Sequence, residues 1–345
     1  MGAAAEQTTV SSKMIRLGII GTGRIARRFV TESRHVENIV ITSVYNPHAD
    51  SARRFVDGIW NGDAAEGSSL ETPSIHDSIY HFFEEIDAVY VASPHETHFA
   101  YVMEALFRRK HVLCEKPLCL SREEAKTAFL MAKSQKCVLM EAVKTAYCPG
   151  FGEMLLLIED GLIGRIRYVD ACFTKLAGPE SRELTDTAYG GSFLELGSYV
   201  MLPMVIALGG SYTALEFESM NNPAGIDIFT KAAFRYSTAL ATLTCGLGVK
   251  SEGRLLIAGE KGYAVASAPW WKTSHFEVHF EDPEEVISKD CEFEGDGLRY
   301  ELSCFAGRIR GREDDYNMEG CSVIMAGIME KFLSLQGQTG EKDLR

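Results

Sequence analysis

The sequence predicts a doubly wound α/β parallel sheet followed by an α+β domain with an open, mainly antiparallel sheet. Three observations carry this. An apolar run, Ile15 to Ile20, leads directly into the turn Gly21-Thr22-Gly23-Arg24-Ile25-Ala26. From Met14 onward strand-like and helix-like segments alternate, the mark of a parallel sheet covered by helices on both faces. Beyond Pro149 the rhythm changes to strands joined by short turns such as Gly259-Glu260-Lys261-Gly262, which suits antiparallel neighbours.

In the first lobe Ile15 to Ile20 is a strand, Gly23 to Ser33 a helix, and Ile39 to Tyr45 a β-branched strand beside the first. Residues 58–74, rich in Gly, Asn, Asp and Ser, read as a surface loop longer than usual. Then come a helix Ser78 to Glu84, a strand Asp87 to Ala92, a helix Glu96 to Arg108 and a strand His111 to Cys114. Helix Ser121 to Ser134, with Ser121 as N-cap and Glu124 completing a capping box, leads to strand Cys137 to Met140 and closes a lobe read as six-stranded, five of whose strands are placed.

The second lobe opens with helix Phe151 to Asp160, strand Arg165 to Thr174 and helix Gly190 to Leu208. Strands follow at Leu215 to Met220, Ile226 to Tyr236, Thr238 to Gly246, Arg254 to Ala258, Gly262 to Ala266 and His275 to Phe280. Two late helices, Gly297 to Arg310 and Glu319 to Leu335, end the pattern. The expected division is a tail over 1–13, a dinucleotide-type lobe over 14–140 and a second domain over 141–345.

A chain of 345 residues suits two domains, since one core rarely grows past roughly 250 to 300 residues. The formal charge of -13 argues against nucleic-acid or anionic-membrane partners, which demand a basic face. No run of 18 uncharged apolar residues predicts a transmembrane helix. The nine cysteines are odd in number and contain no C-x-x-C pair, which fits free thiols in a reducing cytoplasm.

The glycine turn is a dinucleotide signature because of its setting. A strand precedes it and an amphipathic helix follows, so Gly21, Thr22, Gly23, Arg24 and Ile25 can bring backbone N–H groups to a pyrophosphate in a Rossmann-type lobe. The end of the second strand, where an acid selects NAD and a basic residue NADP, reads Tyr45-Asn46-Pro47-His48. Asn46 can bond a hydroxyl or a phosphate, and Arg24, His48 and Arg53 are phosphate candidates, so NAD and NADP stay open.

Two further segments lie where strand ends open onto the crevice: Ser93-Pro94-His95-Glu96-Thr97-His98 and Glu115-Lys116-Pro117. In this order they resemble the Pro-Asn-x-x-His and Glu-Lys-Pro elements of the glucose-fructose oxidoreductase, inositol dehydrogenase and rhizopine-catabolism family (Gfo/Idh/MocA). The resemblance covers nearly the whole chain from Ile15. It implies that Ser93, Pro94, His98, Glu115 and Lys116 face the cofactor, that Lys116 touches the nicotinamide ribose and the reacting oxygen, and that Pro117 holds the turn through a cis peptide. His95 stands where the family has Asn. His95-Glu96-Thr97-His98 is not H-E-x-x-H and has no evident third ligand, so no metal is expected.

Gly190-Gly191-Ser192-Phe193-Leu194-Glu195-Leu196-Gly197-Ser198-Tyr199 resembles the family signature Gly-Gly-Gly-x-Leu-x-Asp-x-Gly-x-His, with Glu195 for Asp and Tyr199 for the catalytic His. Four apart on a helix, Glu195 and Tyr199 share a face. Tyrosine there is similar to the glucose-fructose oxidoreductase and dimeric dihydrodiol dehydrogenase branch, which implies that Tyr199 exchanges the proton. A nearby Lys116 cation is expected to lower its pKa. Met140-Glu141-Ala142 followed by Lys144 resembles the branch's junction element and makes Lys144 a substrate candidate or an exposed lysine. Trp270-Trp271 can stack on a sugar, close a subunit contact or pack.

The resemblance implies an NAD(P)-dependent oxidoreductase transferring a hydride between nicotinamide and a secondary hydroxyl or ketone of a sugar, polyol or glycoside-like molecule. Lys116 and Tyr199 would handle the proton and Glu195 would orient a substrate hydroxyl. It also implies a homodimer or homotetramer. The alternative is a non-catalytic, dinucleotide-sensing regulatory member of the same family.

Overall fold

The computed structural model of the chain describes residues 14–60, 71–312 and 318–339. The expected tail over 1–13 and much of the expected loop over 58–74 lie outside the described residues. The first lobe runs β1 (Ile15–Ile20), α1 (Arg24–Ser33), β2 (Ile39–Tyr45), α2 (Ala49–Trp60), β3 (Ser74–His76), α3 (Ile79–Glu84), β4 (Ala88–Val91), α4 (His98–Phe107), β5 (His111–Glu115), α5 (Arg122–Gln135) and β6 (Leu139–Ala142). Every pairing is parallel, in the order β3-β2-β1-β4-β5-β6. The winding reverses between β1 and β4, which opens a crevice at the strand C-termini.

Two elements differ from the expectation. Residues 58–60 close α2 rather than open a loop: Ala52, Phe55, Val56 and Ile59 are buried at helical spacing, and this stripe outweighs the cost of Gly58. The third strand is the short Ser74–His76, paired with β2.

The second lobe contains α6 (Pro149–Glu159), β7 (Ile166–Thr174), α7 (Arg182–Thr185), α8 (Ser192–Leu208), β8 (Ala214–Asn221), β9 (Asp227–Arg235), β10 (Leu240–Gly246), β11 (Arg254–Gly259), β12 (Gly262–Ser267), β13 (His275–Phe280), β14 (Val286–Asp290), α9 (Leu298–Ile309) and α10 (Met318–Thr339). The eight-stranded sheet has the order β14-β13-β12-β11-β7-β10-β9-β8. Its β7–β10 pair is parallel and its other pairs antiparallel. β14 was not expected from the sequence. Burial alternates along β9, so one face of this strand is turned to the core beside α8 while the other is exposed.

The last two helices tie the lobes together. Leu298, Leu302, Phe305 and Ala306 of α9 share a core with Phe29 and Tyr90 of the first lobe. On α10, Ala326 joins the first-lobe cluster and Met325, Ile328, Met329 and Phe332 join the second. Each buried Leu, Ile, Met or Phe among these is worth about 1.5–3 kcal/mol, so the two helices contribute to holding the lobes together. Among the described residues no helix is long and apolar enough to cross a membrane.

Candidate active site

The cofactor side of the crevice starts at the glycine turn. Gly21 has φ +96°, and a Cβ there would strike the Ala92 carbonyl oxygen, so only glycine lets the turn lie against the end of β4. Gly23 is different: it caps α1 with extended backbone, and a Cβ would meet nothing within 4 Å. Protein packing does not demand that glycine. Helix α1 has no side-chain cap and no acid in its first turn, so its leading N–H groups and positive dipole end suit an anion. These features fit a dinucleotide pyrophosphate.

The neighbouring residues brace this turn. Asn46 donates from Nδ2 to Thr22 Oγ1 at 2.8 Å and accepts from His48 N at 2.8 Å, leaving no charge at the end of β2. The Tyr45 ring lies 5.9 Å from Phe82 and 6.4 Å from Tyr101, and Ile25 packs against the first-lobe core. Arg24 pairs with Glu183 of α7, while Arg182 reaches Glu96 at 3.1 and 3.2 Å. Helix α7 therefore bridges the crevice with two ion pairs.

His98 begins α4 and is wholly buried. Its Nδ1 lies 2.8 Å from the Pro117 carbonyl and its Nε2 2.9 Å from the Ser93 carbonyl; both partners only accept, so the neutral ring donates to one of them and the protonated ring to both. It links the Ser93-Pro94 loop to the Lys116–Pro117 peptide, which is cis. Burial lowers its pKa. Glu115 is also buried; it accepts from Tyr90 Oη at 2.6 Å and from Lys116 N at 3.3 Å, and burial pushes its carboxyl up.

The opposite wall is α8. Gly191 has φ +110°, and a Cβ there would fall on Asp227 Oδ1. The buried Asp227 carboxylate needs that space: it accepts from Phe193 N at 2.9 Å and Thr230 Oγ1 at 2.7 Å, capping the helix. Its carboxyl is pushed up to about 6 by burial. Glu195 sits in the first turn of the helix so fixed, with Tyr199 one turn on.

The two walls meet at three residues. Lys116 Nζ donates to the Glu195 carbonyl oxygen at 2.9 Å, stands 3.5 Å from Glu195 Oε1 and lies 5.9 Å from the Tyr199 ring centroid. His95 Nε2 is 3.7 Å from Glu195 Oε2. Burial, then the nearby Lys116, holds the His95 imidazole well below its ordinary pKa, so it is neutral. The sequence signal for this contact was only the departure from the family's Asn.

The structure reverses one expectation. The Tyr199 phenol is held well above its ordinary value, first by burial and then by the negative charges of Glu115, Glu301 and Glu195, with Arg28 opposing them. Lys116 is drawn toward the Glu195 carboxylate, which offsets its pull on the phenol. The Tyr199 ring packs edge-on to Phe173 at 5.3 Å, and Phe173 stacks on Trp271 at 3.5 Å. Trp270 is a packing residue, fully buried with its Nε1 donating to Cys172 O at 2.8 Å.

Lys144 lies apart from this trio. It is buried, donates to the Asp296 carbonyl at 2.6 Å, and has its pKa lowered by burial and by Arg28 and Lys272. Sequence reasoning missed Asp296 and Glu301. Glu301 on α9 is 0% exposed and neither carboxyl oxygen has a hydrogen-bond partner. Burial, then Glu115, pushes it well above its usual range, which favours the protonated acid over the carboxylate.

Comparison with known proteins fits this geometry. Residues 15–143 match the model of an oxidoreductase family with an NAD-binding Rossmann fold, and residues 151–265 match the GFO/IDH/MocA C-terminal domain. The scyllo-inositol 2-dehydrogenase (NADP+) of Bacillus subtilis is 30% identical over 57% of this chain and 59% of its own length, so the match spans under two thirds of that relative. The trans-1,2-dihydrobenzene-1,2-diol dehydrogenase of Homo sapiens is 26% identical over 75% of this chain and 80% of its own. A 3-ketoreductase from Actinomadura kijaniata, solved with NADP and TDP-benzene, superposes with a TM-score of 0.75 at 21% identity, covering 92% of this chain and 96% of that one. That likeness is one of fold.

Proposed function

Because the chain belongs to the GFO/IDH/MocA oxidoreductase family, we propose that it is an NAD(P)-dependent oxidoreductase acting on a secondary hydroxyl or ketone of a sugar, polyol or glycoside-like molecule. The observation that carries the reading is the meeting of Lys116, Glu195 and Tyr199 from opposite walls of one crevice. When bound, the nicotinamide exchanges a hydride with the substrate carbon. The rest is work for side chains.

In ketone reduction Tyr199, which holds its proton at neutral pH, donates it from Oη to the substrate oxygen as that oxygen becomes an alkoxide. The Lys116 ammonium stabilises negative charge on the same oxygen, in a site where burial makes that charge count. The Glu195 carboxylate accepts a hydrogen bond from a neighbouring substrate hydroxyl and fixes which carbon is presented. In the oxidising direction the phenol must first lose its proton.

Gly21, Thr22, Gly23, Arg24 and Ile25 hold the pyrophosphate, Tyr45 and Asn46 border the adenosine ribose, and Ser93, Pro94, Glu115 and Lys116 line the nicotinamide side. His98 acts through the backbone it braces. Nine free thiols support a reducing, cytoplasmic setting, and the exposed face of the second sheet supports a homodimer or homotetramer. The test is a spectrophotometric screen of keto sugars, sugars and polyols with both nicotinamide cofactors. Cofactor-dependent turnover is expected, and tight cofactor binding with no turnover across the screen would contradict the reading.

A further inference from the structure

Between β14 and α9 the chain passes close to α1, and Asp296 in this segment collects three cations from three elements. Arg28 of α1 donates from Nε to Oδ2 at 2.7 Å, and Lys272 donates from Nζ to Oδ1 at 2.7 Å. Lys144 donates to the carbonyl oxygen of the same residue at 2.6 Å. One carboxylate faces three positive groups. The neighbouring carboxyls are engaged elsewhere or withdrawn: Glu301 is fully buried, Glu32 is committed to Arg299 at 3.0 and 3.1 Å, and Glu115, whose charge reaches Arg28, is buried and accepts from Tyr90 Oη and Lys116 N. A local excess of positive charge in a chain of net charge -13 attracts anions to this spot.

The excess is open and lies beside the reacting centre. Arg28 and Lys272 have side chains 44% and 28% exposed, whereas Lys144 is buried. Among the described residues Arg28 hydrogen-bonds only through Nε and Lys272 only to Asp296, so the guanidinium Nη atoms and two ammonium hydrogens stay unused. Asp296 anchors both heads, which lowers the entropy lost when a ligand binds. Lys272 follows Trp271, whose ring stacks on Phe173 beside Tyr199, and the Arg28 charge is felt at the Tyr199 phenol.

We infer that Arg28 and Lys272, held by Asp296, form a subsite for an oxyanion group on the substrate, so that this protein acts on a sugar or polyol bearing a carboxylate or a phosphate. The inference rests on the oxidoreductase reading and narrows its substrate class. A planar guanidinium pairs with either oxyanion through two hydrogen bonds, and the ammonium adds a point charge.

The test uses the full-length protein with matched substrates: a neutral sugar or polyol, its sugar acid and its phosphate ester. An anionic member is expected to be preferred in kcat/KM, and the better of the two identifies the group. In Arg28→Gln and, separately, Lys272→Gln, the ratio of anionic to neutral kcat/KM is expected to fall about 10- to 100-fold through KM, with Arg28→Lys recovering part of the loss. Loss of packing alone would lower both substrates and leave the ratio in place, which would overturn the inference. So would a wild-type preference for the neutral member, or a defect confined to cofactor binding. If no substrate turns over, the oxidoreductase reading fails instead. Calorimetric binding of gluconate and of glucose 6-phosphate to wild type and Arg28→Gln then decides the subsite: affinity lost in the variant upholds it, and equal or absent binding ends it.

Discussion

The Lys116 ammonium donates to the Glu195 carbonyl oxygen at 2.9 Å and stands 3.5 Å from the same residue's carboxylate, so one residue of α8 engages the cation through backbone and side chain together. The carbonyl holds the ammonium in place. The carboxylate, with His95 on its other side, is left to meet substrate.

Replacement of Glu195 by Gln keeps the carbonyl contact and removes only the charge. We expect kcat/KM to fall about 10-fold, since a charge-assisted hydrogen bond to substrate becomes a neutral one. Steady-state kinetics on a substrate and its deoxy analogue check it: the penalty should shrink for the analogue lacking the bonded hydroxyl.

The two reaction directions should respond oppositely to pH. Burial and neighbouring carboxylates keep Tyr199 protonated well beyond its ordinary range. Oxidation needs the deprotonated phenol and should rise about tenfold per unit as pH increases into the alkaline range. Reduction needs the proton and should stay level through neutrality, then decline. Matching profiles in both directions would contradict the role given to Tyr199.

Glu301 is expected to cost stability. Its carboxyl is fully buried with both oxygens unpartnered, so Glu301→Leu should stabilise the fold by about 1–3 kcal/mol. The sign with pH follows from its raised folded pKa: the unfolded chain releases this proton first, so the wild-type penalty grows as pH rises above the ordinary carboxylate range. Urea melts at about pH 4 and about pH 8 should show the variant's advantage widening at the higher value. Activity is the second readout, and a stabilised variant with reduced turnover assigns the strain to function.

Gly191→Ala should act at a distance from chemistry. The φ of +110° alone costs about 1–3 kcal/mol for a residue with a Cβ, and the added methyl displaces the Asp227 cap of α8. Both a lower melting temperature and a drop in turnover are expected, because Glu195 and Tyr199 ride on that helix. Normal activity in a folded variant would show that α8 need not be pinned there.

Much of this was legible because it is local. The glycine turn, the Glu115-Lys116-Pro117 segment and the four-residue spacing of Glu195 and Tyr199 each sit within one short stretch of chain. Helix α2 went unread although Ala52, Phe55, Val56 and Ile59 are buried at helical spacing, and Gly58 and the polar residues after it drew its end into a loop. The rest depends on chain folded back from far away. Arg28 and Asp296 are 268 residues apart in sequence and meet only because α9 returns to the first lobe. The upward shift of Tyr199 arises the same way, from burial of the phenol first and then from Glu115 and Glu301 converging on it.

The central claim is that Lys116 and Tyr199 carry the proton chemistry in a crevice that binds the dinucleotide independently of Tyr199. Its most direct test is single-turnover hydride transfer in Tyr199→Phe, with cofactor affinity measured on the same preparation. The account predicts a rate lower by about 10²- to 10⁴-fold with affinity essentially retained. A Tyr199→Phe enzyme that turns over at the wild-type rate would contradict it.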